Sequence, residues 1–177
     1  MKSKHLFYLS IFVVGLFSNC SVSRVVSDYD PQSNFQEFKT FVICEDDLKV
    51  QNHDFLEYDT ALNRMRIKNA LENEMQTRGY IINNEQPELQ VGFKLNIEDE
   101  IVEIYHCSSD IRTPYWEDCK FEQYEFTEQY ILVYVTDLAK DQIIWQGSLA
   151  KPLEVSPKRM AGEIQKVVHR VFKEYPI

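Results

Sequence analysis

"ELQVGFKLNIEDE", Glu88 to Glu100, is the stretch that decides the fold. Leu89, Val91, Phe93, Leu95 and Ile97 alternate with Gln90, Lys94, Asn96 and Glu98. A period of two puts the sets on opposite sides of an extended chain, so this is a strand with one covered face and one wet face. One-sided burial of that kind belongs to antiparallel sheets. Downstream, "QYILVYVTDL" (Gln129–Leu138) and "QIIWQGSLA" (Gln142–Ala150) are two more strands, joined across "DLAKD" as a tight hairpin. Trp145 is in step with Ile143 and Leu149, which assigns all three to the core face. Upstream, "KTFVIC" (Lys39–Cys44) reads as a strand. "SVSRVVSDYD" (Ser21–Asp30) reads as a tether leading into a short extended piece, which "DPQSNFQEF" turns.

Two helices complete the pattern. The first spans about Thr60 to Arg78, with Asp59 or Thr60 as cap and Gly79 free to adopt the left-handed conformation after it. Its apolar stripe is Ile67, Ala70, Leu71 and Met75; Leu62 and Met65 fall off that face and require another contact. The second opens at Ser156-Pro157, a cap followed by proline at the first helical position. It carries Met160, Ile164, Val167, Val168, Val171 and Phe172 on one side and stops at Pro176. The expected fold class is α+β: a mostly antiparallel sheet of four or more strands with two amphipathic helices packed on one face.

The N-terminus reads as a secretory leader. Lys2 and Lys4 precede Leu6–Phe17, an apolar run of the usual signal-peptide length and too short to cross a bilayer as a helix. The run ends in "LFSNCS" (Leu16–Ser21), which resembles a bacterial lipobox, although Phe17 and Asn19 depart from the usual small residues. Cys20 is therefore expected to become the lipidated first residue of the mature chain. Diacylglycerol on the thiol plus an N-terminal acyl chain would supply the two hydrophobic signals that stable anchoring needs. The expected divisions are 1–19 signal peptide, 20–34 lipidated cysteine, tether and first extended segment, and 35–177 a single domain. Ser21, in place of the aspartate that resembles an inner-membrane retention signal, favours the outer membrane. The lack of an acidic run after Cys20 favours its periplasmic side over the cell surface.

The chain has 19 basic and 28 acidic residues, and losing Lys2 and Lys4 with the leader leaves the remainder at −11. Such a body repels nucleic acid and anionic headgroups, so membrane attachment falls to the acyl chains and no nucleic-acid partner is expected.

Residues 98–128 stand apart. Ten acids face only Arg112 and Lys120, with Tyr105, Tyr115, Trp116, Phe121, Tyr124 and Phe126 interleaved. The plain reading is a long hairpin with wet charges and aromatics covering one end of the core. The functional reading is a cation, glycan or peptide site, with Tyr105, Asp110, Tyr115, Trp116 and Asp118 as candidate ligand-binding residues. Cys107 and Cys119 lie within this segment, flank its polar, aromatic-rich middle and are candidates for a disulfide that staples it. Cys44 ends an apolar run and reads as a small buried hydrophobe. Metal spacings such as C-x₂₋₄-C, H-x₃₋₅-H or a calcium loop are missing, so neither a metal nor another cofactor is expected.

Catalytic patterns are missing too. G-x-S-x-G, H-E-x-x-H, G-x-x-x-x-G-K-[ST] and G-x-G-x-x-G do not occur; His53 lies in a polar loop and His169 at a helix surface. No catalytic residue is assigned. The leading expectation is a non-enzymatic, lipid-anchored envelope domain that binds a partner protein or maintains the envelope. A ligand-binding module using 98–128 is the alternative, and a hydrolase without recognisable motif the second.

Four stretches, "SDYDPQSNFQEFKTFV", "LENEMQTRGY", "ILVYVTDLAKDQIIWQGSLAKPL" and "VVHRVFKEYP", together resemble the bacterial lipoprotein family catalogued as domain of unknown function 4136. The resemblance rests on the tyrosine-aspartate opening, Arg78-Gly79-Tyr80, and Asp137 through Trp145-Gln146-Gly147. Residues 98–128 and the glycine-free hairpin turn depart from it. It implies a lipid-anchored envelope domain with an α+β sandwich, and it carries over no activity and no functional residue.

Overall fold

The structure, a computed structural model, describes residues 24–107, 119–150, 155–156 and 158–176. Its elements are β1 (Val25–Tyr29), β2 (Thr40–Ile43), a single 3₁₀ turn (Glu45–Leu48), α1 (Ala61–Thr77), β3 (Ile81–Ile82), β4 (Leu89–Cys107), β5 (Cys119–Asp137), β6 (Gln142–Ala150) and α2 (Met160–Phe172). The strands form one sheet in the order β1-β6-β5-β4-β2-β3. The two helices pack against each other, α2 also against β6 and β1, and α1 against β3 and the 3₁₀ turn.

The alternation in β4 holds: Leu89, Val91, Phe93, Leu95 and Ile97 are all buried. So is the whole predicted stripe of α2, from Met160 to Phe172. The α+β class is therefore observed, and the sheet is mixed. β2 runs parallel to both β3 and β4, while β1, β4, β5 and β6 pair antiparallel. The cause is α1, a crossover that carries the chain from the end of β2 back to the start of β3.

Val25–Tyr29, the short extended piece that follows the tether in the sequence, is an edge strand of the sheet. It pairs antiparallel with β6 from Val25↔Leu149 to Tyr29↔Trp145. Ile143 does not share the core face with Trp145. Val135 faces Trp145 but Thr136 faces Ile143, so Ile144 is an extra residue in β6. A bulge of this kind resets the alternation. Ile144 and Trp145 are both buried, and Ile143 is 51 % exposed.

Both helix starts rest on local chemistry. In α1 the Thr60 side chain accepts the Asn63 N–H at 2.9 Å, as a cap should. Asp59, the other candidate cap, is consumed by an ion pair described below. Leu62 and Met65 gain no covering contact; they are 60 % and 46 % exposed. α2 begins at Met160, later than Ser156-Pro157 suggested. The Ser156 carbonyl accepts the Arg159 N–H at 2.9 Å in a turn that precedes the helix.

The core closes on aromatics. Tyr175 packs edge-on against Trp145 at 5.0 Å and Phe35 at 5.3 Å, and Trp145 stacks on Phe172 at 5.3 Å. Tyr80 donates to the Phe35 carbonyl at 2.9 Å and Trp145 Nε1 to the Glu174 carbonyl at 3.2 Å. Those bonds satisfy the polar tips of buried rings and fasten the chain end to the sheet.

Candidate functional site

The densest chemistry lies where β2 leaves the sheet. Cys44 N–H makes the last bond to β4, at the Val91 carbonyl, 2.9 Å. The chain then turns, and the fully buried Asp47 carboxylate takes over the vacated edge of β4. Its Oδ2 accepts the Phe93 N–H at 3.0 Å and the Tyr134 hydroxyl at 2.6 Å; its Oδ1 pairs with the Lys94 ammonium at 2.5 Å. Tyr134 stands opposite Gly92 on the neighbouring strand. A Cβ on residue 92 would overlap both the tyrosine ring and the Asp47 carboxylate, so glycine opens the path between them. Burial first, and then the Asp47 and Cys44 hydrogen bonds, push the Tyr134 hydroxyl well above its ordinary pKa.

Behind Asp47 lies Arg64 of α1, also fully buried. It donates to the Asp47 carbonyl at 2.6 Å, forks onto Asp59 through Nε at 2.5 Å and Nη2 at 2.7 Å, and lies 5.6 Å from the Phe93 ring centre. Asp59 further accepts the Gln51 and Asn52 N–H groups and the Asn52 amide, which reaches on to the Leu95 carbonyl at 3.0 Å. Burial alone would raise the Asp59 pKa. The Arg64 and Asn52 donors outweigh it and hold the carboxyl at about 2. Both carboxylates are spent on neighbours, so this cluster is a clamp binding the 44–60 loop and α1 to β4. Sequence reading missed it because its residues are scattered from Cys44 to Tyr134 and no spacing links them.

A second polar feature is the groove between α1 and α2, about 640 Å³, lined by Asn69, Asn73, Glu74, Gln165, Lys166 and His169. His169 Nδ1 lies 3.0 Å from Glu74 Oε1, and Arg78 holds the other Glu74 oxygen at 2.6 Å. Arg78 also donates to the Phe172 carbonyl at 2.7 Å and covers the Phe172 ring, tying the C-terminal ends of the two helices together. Among the described residues no group of His, Cys, Asp and Glu forms a metal-ligand set.

The third feature is an arm. β4 and β5 stay paired in unbroken register from Leu89↔Asp137 to Cys107↔Cys119. Core burial ends at Ile97 and Gln129; beyond them residues 101–104 and 122–124 are all exposed. At about 3.4 Å per residue, the two-stranded ribbon runs roughly 30 Å beyond Ile97 and Gln129. Ile101 (61 %), Val102, Ile104 and Tyr124 are exposed on it, and Glu98 faces Glu128 across it. The candidate ligand residues fall on or beyond this arm. Tyr105 lies in its backbone, while Asp110, Tyr115, Trp116 and Asp118 lie outside the described residues, as does Cys20.

The family model for the domain of unknown function DUF4136 matches residues 25–177. The chain belongs to the DUF4136 family. A DUF4136 protein from Bacteroides thetaiotaomicron VPI-5482 shares its fold at 17 % identity and TM-score 0.55, over 87 % of this chain and 96 % of that one. A PDZ domain protein from Parabacteroides distasonis ATCC 8503 matches at 15 % identity and TM-score 0.54, over 87 % of this chain; this chain spans 35 % of that longer protein. The PelC dodecamer from Paraburkholderia phytofirmans matches at 7 % identity and TM-score 0.50, over 85 % and 96 % of the two chains. No curated protein matches. The residues on which the sequence resemblance rests occupy structural posts. Arg78 ties helix ends, Gly79 takes a φ of 93°, Tyr80 and Trp145 are buried, and Asp137 accepts the Ala139 N–H in the hairpin turn. DUF4136 membership thus marks a fold and leaves the activity open.

Proposed function

We propose that this DUF4136 protein is a non-enzymatic domain, lipid-anchored through Cys20 on the periplasmic side of the outer membrane, that uses its acidic arm to contact an envelope protein at membrane level. One geometric observation supports the reading: the start of β1, five residues after Cys20, and the arm lie at the same end of the sheet. β1 begins at Val25, opposite Leu149, which is opposite Ile131, two residues from Gln129, where the arm leaves the body. Residues 20–25 span at most about 18 Å, less than the roughly 30 Å of the arm. A lipid on Cys20 therefore keeps the arm beside the bilayer rather than pointing away from it. Its carboxylates oppose anionic headgroups, which favours a protein partner over lipid.

Two measurements test this. Radiolabelled palmitate should enter the wild type and not Cys20→Ala; equal labelling ends the anchoring claim. In vesicles carrying the acylated protein, a fluorophore at position 102 should be quenched by spin-labelled lipid and one at position 140 should not. Equal quenching at both would remove the shared-end argument.

A further inference from the structure

We propose that Cys107 and Cys119 are joined by a cross-strand disulfide that closes the arm. The argument comes from hydrogen-bond parity. The Phe93 N–H is bonded to Asp47, the Val91 carbonyl to Cys44 and the Leu95 carbonyl to Asn52, all on the side of β4 away from β5. Odd-numbered residues of β4 therefore turn their backbone polar groups away from β5 and form its non-hydrogen-bonded pairs. The register continues without a shift for fourteen residues from Phe93↔Val133 to Cys107↔Cys119, so the cysteine pair has the same parity. Non-hydrogen-bonded partners bring their Cα atoms to about 4.5 Å, inside the window of about 4.4–6.8 Å that a disulfide spans.

The arm also needs such a link. A two-stranded ribbon is marginal in water unless a third strand or a packed face supports it, and the described residues show neither along the arm. Here Glu98 faces Glu128, and Ile101, Val102 and Ile104 are exposed. Like charges opposite each other weaken the pairing further. A bond at the last registered pair removes the freedom of the strands to fray from that end. Cys44 is no competitor: it sits half-buried where β2 ends, at the opposite side of Phe93 from the arm, and is a free thiol.

Formation is thiol–disulfide exchange. One thiolate attacks the disulfide of an oxidised dithiol protein, and the second then displaces the resulting mixed disulfide. The two cysteines lose two electrons and two protons, and the oxidant leaves as a dithiol. In the cell this rests on the envelope placement above, because that compartment supplies such an oxidant; in a glutathione redox buffer it does not.

The purified full-length chain, equilibrated in that buffer, alkylated and digested, should yield one linked peptide pair joining Cys107 to Cys119, with Cys44 alkylated. Finding Cys107 and Cys119 both alkylated, or either linked to Cys44, would overturn the proposal. Proteolysis within the arm should accelerate at least several-fold in the Cys107→Ser/Cys119→Ser variant, while its thermal transition persists. An unchanged cleavage rate would count against the bond. If the bond forms in buffer while protein taken from cells carries both thiols free, the disulfide geometry stands and the envelope placement fails.

Discussion

Tyr134 reaches across the backbone of Gly92 to place its hydroxyl 2.6 Å from the Asp47 carboxylate. Gly92→Ala should therefore cost about 1–3 kcal/mol, the usual range for overpacking a filled site. Tyr134→Phe should cost about 1–2 kcal/mol, because it removes one of three donors to a buried carboxylate. Urea denaturation of the two variants checks both values, and a neutral Gly92→Ala would show that the tyrosine ring can move aside.

The Arg64–Asp59 pair should show the asymmetry expected of buried ions. Asp59→Ala leaves a fully buried guanidinium without its forked partner and should cost about 3–5 kcal/mol. The double change Arg64→Met/Asp59→Ala should recover much of that loss. A double-mutant cycle measured by denaturant melts decides it, additive single effects being the contrary result.

The same aspartate sets an acid limit. Its folded pKa, about 2, lies below the ordinary 3.8, so its contribution is complete above the unfolded value. That contribution is lost as pH falls from about 4 through 2, a swing of about 2 kcal/mol. Stability profiles between pH 2 and 6 should be flatter by that amount in Arg64→Met/Asp59→Asn than in the wild type.

Gly79 follows α1 with a φ of 93°. A methyl there meets no neighbour, so Gly79→Ala isolates backbone strain and should cost about 1–2 kcal/mol. A thermal melt measures it, and an unchanged midpoint would mean that the helix end adopts another conformation.

The arm should be dispensable for folding. Glu98 and Glu128 form a hydrogen-bonded pair by the same parity that governs Phe93, so an Asn-Gly turn placed between them closes a regular two-residue hairpin. That deletion should leave the cooperative thermal transition within a few degrees of the wild type. Loss of the transition would show that the arm helps to build the core.

Much of this architecture is legible in the chain because it depends on neighbours in sequence. The alternation of Leu89 to Ile97 and the stripe of α2 require only that one face be wet and the other dry. α1 is read less completely: Asn63, Arg64 and Glu74 are buried beside Ile67 and Leu71, and polar residues on a covered face blur the periodicity that reveals a helix. β1 is short, and four of its five side chains are exposed, so its place in the sheet comes from backbone bonds to β6, which no side-chain pattern records. The extra residue Ile144 is hidden for a related reason, since "QIIW" gives no sign of which isoleucine breaks step.

By itself the sequence determined a mixed helix-and-strand body, a net acidic charge and a distinctive segment at 98–128. Tertiary structure alone decided that β2 runs parallel to its neighbours and that Asp47, Arg64, Asp59 and Tyr134 form one clamp. It also decided that the chain enters the sheet at the end from which the arm departs. The physical reason is range: solvation and backbone sterics act along a few residues, whereas strand order, charge burial and hydrogen-bond parity join groups as far apart in the chain as Val25 and Leu149 and exist only once the chain has closed on itself.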